Sequence, residues 1–183
     1  MKTDTINFTE KDLSGWIMRD SRLPKSDFSK STLNGADLRG CDLWKSNFTD
    51  ASLMSSNLSY TDLRGSNFTR TLLRGVILRE SNLIEVDMAG LIMDQGDLWK
   101  VNLQGSDLSN TKFRGAFLRE GNLKGVNLSG ADLRRADLIG CDLRGADLRG
   151  AYLDKAKLDF AILSAAKFDK NDIQKADLWK TEM

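Results

Sequence analysis

From Phe8 to Met183 every fifth residue is a large apolar side chain: 36 positions holding 25 Leu, six Phe, four Met and one Ile. The series begins Phe8, Leu13, Met18, Leu23, Phe28 and runs without a gap to Leu178 and Met183. A fixed short period is the signature of a repeat architecture. Five residues advance an α-helix by about 500°, so these side chains would form no stripe on one. On a flat strand an odd step changes face, so they would alternate between core and water. The pattern therefore predicts short extended pieces, each followed by a turn that brings the next apolar residue back inward.

With the apolar residue called i, the residue two before it is small. Thirty-one of 36 such positions are Ala, Ser, Thr, Val, Gly or Cys, as at Ala36, Cys41, Ser46 and Ala131. Positions i and i−2 share one side of an extended segment, so each pentad points one large and one small residue inward and fills a narrow core. Asp or Asn occupies 22 of 36 positions at i−1, and 13 of the 15 glycines fall at i+2. Glycine supplies positive φ and Asp or Asn bonds nearby backbone, which marks i+1 and i+2 as turn positions. Phe recurs at i at positions 8, 28, 48 and 68, and again at 168. Twenty residues, or four pentads, is the expected length of one coil, with the rings stacked in one column. Thirty-six pentads then give about nine coils, and a strand spacing of about 4.8 Å makes a rod roughly 43 Å long.

The unit A-(D/N)-L-x-x is plain in Ala36-Asp37-Leu38-Arg39-Gly40, Cys141-Asp142-Leu143-Arg144-Gly145 and Ala146-Asp147-Leu148-Arg149-Gly150. It resembles the pentapeptide-repeat family over residues 6–183, with residues 1–5 as a short lead-in. The resemblance implies an all-β fold, a right-handed quadrilateral parallel β-helix, in a single domain. Some members of that family protect DNA gyrase, a type II topoisomerase, from quinolones by mimicking duplex DNA. The motif itself is structural, so the resemblance carries over a core and no catalytic residues.

The 183 residues carry 27 basic and 26 acidic side chains, a net charge of +1. The signs are even along the chain: 12 acids and 12 bases in residues 1–90, 14 and 15 in residues 91–183. This argues against direct nucleic-acid binding through a positive field, and equally against an acidic mimic of phosphate rails. The opening residues show no signal-peptide pattern and no apolar run approaches spanning length, so a cytoplasmic, membrane-free protein is expected. Cys41 and Cys141 both fall at i−2, buried and five coils apart, about 24 Å at the strand spacing, too far to pair. Reduced core thiols fit the same compartment.

The chain has no His, which removes the commonest general base and transition-metal ligand. Its inward Ser residues lack a base, and its glycines form no phosphate-binding loop. No enzyme, metal site or cofactor is expected. Of the features left over, Arg19, Arg39, Arg79 and Arg119 form a basic column at i+1, readable as an anion-binding surface or as partners of Asp at i−1. Apolar residues at outward positions, Leu72, Ile77, Ile92, Trp99 and Phe117, predict a patch for a protein partner. The alternative is local repacking around Met88, Leu91 and Met93, with Gly96 offsetting Leu91. At the N-terminal end Ile6, Lys11 and Trp16 replace small residues, and Trp16 is the expected cap over the core. The repeat is expected to persist to the last residue with no cover. Bare strand edges invite association, so end-to-end stacking or a homodimer through the C-terminal end is the expected form of self-association. The function expected is a binding or scaffold rod, with topoisomerase protection as the alternative.

Overall fold

The computed structural model describes residues 5–183, so the lead-in falls, apart from Thr5, outside the described residues. The backbone forms a β-solenoid. Single parallel bridges join residues twenty apart in four ladders that begin at Asn7, Asp12, Ile17 and Arg22. Each rung is built alike: the amide of residue i donates to the carbonyl 19 residues on, as in Leu38 N to Asn57 O at 2.7 Å. The amide at i−1 donates 21 residues back, as in Asp37 N to Trp16 O at 2.8 Å. One coil therefore takes twenty residues.

The corners follow from the sequence pattern. The amide of i+3 donates back to the carbonyl of i, as in Ala36 N to Leu33 O at 3.0 Å. The residue at i+2 has positive φ at every such position from Glu10 to Ala165, and again at Lys180. The turn demands this whether or not glycine is present: 20 non-glycine residues adopt it alongside 13 glycines. Asp and Asn at i−1 accept the amide at i+1, as in Asn57 Oδ1 from Ser59 N at 3.0 Å, and so satisfy a donor that the ladder leaves over.

Inside, the Leu, Phe and Met at i are almost all fully buried, with the small i−2 residues between them. Phe8, Phe28, Phe48 and Phe68 stack at 4.8, 5.1 and 5.3 Å, as the twenty-residue spacing predicts. Inward hydroxyls donate to main-chain carbonyls, within the turn for Ser31 to Phe28 O (2.6 Å) and to the coil below for Thr71 to Phe48 O (2.8 Å). Cys41 and Cys141 are buried and free, each Sγ lying 2.9 Å from a carbonyl of the coil below.

The regular ladder is interrupted at two places. At residues 169–176 the expected unbroken repeat gives way to a helical turn, α1 (Lys170–Ile173). Its inward slot would have to hold Asn171, which cannot be buried unpaired; the chain turns it outward and keeps Ile173 in the core. Asp169 Oδ2 accepts the Gly150 amide at 3.0 Å in place of a rung carbonyl, and Asp177 regains register opposite Lys157.

The second interruption is a seam. No bridge joins Asn67 to Asp87, and four inter-coil bonds that the pattern requires are not made. They are the amides of Gly65, Phe68 and Arg70 to the coil above, and that of Asp87 to the coil below; Leu72 and Ile92 stay bridged. On the other half of the same junction the bonds are intact, as in Leu78 N to Asp97 O at 2.7 Å. Leu91 lies there, the only residue larger than Val or Thr at an i−2 position between Ser21 and Ala166. Val76, Val101 and Val126 keep their rungs, whereas the pentad of Val86, just before Leu91, does not; we attribute the seam to the bulk of Leu91 packed next to Val86. The expected compensation at Gly96 is not what the core does. A Cβ there would meet Leu98 Cδ1 at 3.0 Å and Met93 O at 3.1 Å; that space belongs to the next pentad.

A candidate partner-binding groove

The five outward apolar residues do not form one continuous patch. Leu72 and Ile92 are bridge partners on the Asp12 ladder, 50% and 39% exposed. Ile77 and Phe117 stand on the Ile17 ladder, where Asp97 is bridged to both and separates them. Ile77 is half-buried; Phe117 is 53% exposed. Trp99, half-buried, lies beside Asp97 with Lys100 Nζ 4.4 Å from its ring centroid. Trp99 and Phe117 do come together, lining a hollow of about 420 Å³ with Arg79, Asp97 and Arg119. The patch and the basic column thus meet at one place.

The column is ion-paired throughout, on a rule set by the i−1 residue. Arg39 follows Asp37 and grips it with two bonds of 2.9 Å. Arg19, Arg79 and Arg119 follow Ile17, Ile77 and Phe117, which offer no carboxylate. Each reaches to the next coil instead, to Asp37, Asp97 and Asp137, through Nε bonds of 2.7 Å. The expected partner two residues away is therefore correct for Arg39 and replaced by one 18 residues away for the other three. The Arg39 guanidinium, with Arg19 beside it, holds the Asp37 carboxyl well below the usual carboxylate range.

A second, larger hollow of about 900 Å³ shares Phe117 as a wall. Its other sides are Arg114, Arg134, Arg135 and Lys155, with Gln95 and Asp154. Sequence reading passed these residues over, although the twenty-residue spacing of 114, 134 and 154, and of 115, 135 and 155, places them in two neighbouring columns. Asp94 and Asp132 are each 8% exposed and lie under the guanidiniums: Arg114 is 3.1 Å and Arg134 2.6 Å from Asp132 Oδ2. The Arg134 bond lowers the Asp132 pKa.

Trp16 is 52% exposed in the first described coil. The other three Trp each occur in the sequence D-L-W-K, at 42–45, 97–100 and 177–180. In all three the Lys ammonium lies over its own Trp ring, at 4.6, 4.4 and 4.6 Å. Among the described residues no three His, Cys, Asp or Glu group together to hold a metal ion, and no helix is long and apolar enough to cross a membrane.

Comparison with known proteins settles the family. The sequence profile described as "Pentapeptide repeats" matches in eight copies, in overlapping segments from residue 33 to residue 181. The chain belongs to the pentapeptide-repeat family. HetL, a pentapeptide repeat protein involved in heterocyst differentiation regulation from the cyanobacterium Nostoc sp., is 30% identical over 97% of this chain and 86% of its own, with a TM-score of 0.43. A trypsin-treated form of QnrB1, a plasmid-mediated fluoroquinolone resistance protein, is 19% identical over 97% of this chain and 89% of its own, with a TM-score of 0.51. At that identity QnrB1 shares the fold alone. No curated protein sequence matches the chain.

Proposed function

We propose that this pentapeptide-repeat protein is a non-enzymatic binding rod that recognises a protein partner through its flank. One observation carries the reading: Trp99 and Phe117 line an open hollow on a surface whose neighbouring charges are already paired with one another. Aromatic anchors ringed by satisfied polar groups are the usual centre of a protein interface. The rod is taken as right-handed, the hand of nearly all crossover connections between parallel strands, four-sided and about nine coils long, with residues 6–183 as one domain in the cytoplasm. Trp16 covers the N-terminal core, and self-association, where it occurs, uses the coil ends. Affinity capture with wild type, Phe117→Ala and Trp99→Ala tests the main reading. Partners should survive added salt and be lost with both variants; retention of the same partners by both removes it.

Topoisomerase protection is the weaker reading. The likeness to QnrB1 supports a shared fold, but the net charge of +1 and the paired carboxylates lack the acidic rails that duplex mimicry needs. In a gyrase supercoiling assay we expect neither inhibition nor protection at micromolar protein.

A further inference from the structure

We propose that the groove on either side of Phe117 takes an acidic peptide segment carrying one large apolar side chain. The inference rests on the protein-binding reading above and specifies the chemistry of the partner. The two hollows meet at Phe117, so they form one groove with unlike halves. On one side Trp99 and Phe117 offer aromatic surface, and the guanidiniums of Arg79 and Arg119 are tied to Asp97 and Asp137. An apolar side chain can be buried there without desolvating a free charge, which is the condition for a favourable anchor.

The other half presents cations. Arg114, Arg134, Arg135 and Lys155 are all exposed, and the carboxylates of Asp94 and Asp132 lie beneath them, almost out of water. Arg135 and Lys155 form no ion pair among the described residues; Asp154, also exposed, is the one surface carboxylate in this half. A partner approaching along the groove therefore meets guanidinium and ammonium groups first. Each guanidinium that holds Asp132 keeps further N–H donors, since it has five and uses few. Carboxylates match such donors bidentately. The balance of charge along the rest of the rod and the buried carboxylates under the arginines disfavour a polyphosphate backbone, which needs an extended positive field.

The test uses the whole chain and fluorescein-labelled synthetic dodecapeptides, read by anisotropy. The probe carries one Trp followed by a run of Glu; the controls replace Trp with Ala or Glu with Lys, and a labelled single-stranded oligonucleotide is titrated alongside. The Trp–Glu peptide should bind saturably, with an affinity that salt reduces but does not abolish, because the Glu contacts are screened and the apolar Trp anchor is not. Both control peptides and the oligonucleotide should bind at least tenfold more weakly. Trp99→Ala, and separately Arg135→Gln with Lys155→Gln, should each weaken the probe about tenfold, a change of about 1.4 kcal/mol. All of these side chains reach the surface, and unchanged melting curves will certify the fold. Equal binding of the Lys peptide, tighter binding of the oligonucleotide, or no saturable binding of the probe overturns the inference. If captured partners are lost with Trp99→Ala while the acidic probe does not bind, the flank remains a protein-binding surface and only this assignment falls.

Discussion

The seam at Leu91 offers the sharpest test of how this repeat stores its stability. Truncating a buried Leu to Ala ordinarily costs about 2–5 kcal/mol, and Leu118→Ala, in a pentad with every rung made, should do so. Leu91 is buried, yet its bulk sits beside four unmade backbone bonds. Each net backbone bond contributes about 1 kcal/mol, so closing the seam returns about as much as the lost side-chain burial removes. Leu91→Ala should then stay within about 2 kcal/mol of wild type in urea unfolding. Native-state hydrogen exchange reads the cause directly. In the wild type the amides of Phe68, Arg70 and Asp87 should exchange far faster than those of Phe48, Asp50 and Asn67, which occupy the same places one coil lower. In Leu91→Ala the first three should slow towards the second three. If they are already equally protected in the wild type, or if the variant loses the full cost without gaining protection, the wedge account is wrong.

Four further outcomes follow from the geometry. Gly40→Ala should be destabilising by about 1–2 kcal/mol, since φ is 70° there, and the exposed Asp20 carboxylate must swing aside for the new Cβ. Ala165→Gly, at a φ of 60° that favours glycine, should be neutral or stabilising by about 1 kcal/mol; paired thermal melts decide both. The bonds from Arg144 and Arg149 hold Asp142 and Asp147 at about 2, below the ordinary 3.8. A carboxyl with a depressed folded pKa stabilises the fold above its unfolded value and loses that contribution as the pH falls through its folded one. Tm should therefore be flat down to about pH 4 and fall between about 4 and 2, with a shallower acid limb in Asp142→Asn/Asp147→Asn; an unchanged limb refutes the assignment. Burial pushes the Cys141 thiol up to about 12, so the native protein should resist thiol-specific reagents at neutral pH and react fully in denaturant.

The outward residues Leu72, Ile92, Trp99 and Phe117 were legible as breaks in a polar register, because the period assigns every residue a direction. The pairing of Arg79 with Asp97 was legible in principle too, given Ile77 two residues before it. The cationic half of the groove was harder to see. Arg114, Arg134, Arg135 and Lys155 look like ordinary turn residues until coils twenty residues apart are laid side by side.

The amino-acid order alone determined the coil length, the inward and outward faces and the positive-φ corners. Each is decided within five residues by side-chain size and turn chemistry, and then repeated. Only the folded core decided that Leu91 parts one junction, that Asn171 diverts a pentad into a helical turn, and that Phe117 divides a groove. Those outcomes depend on the volume shared by side chains from successive coils inside a closed cross-section, a quantity that no single pentad carries.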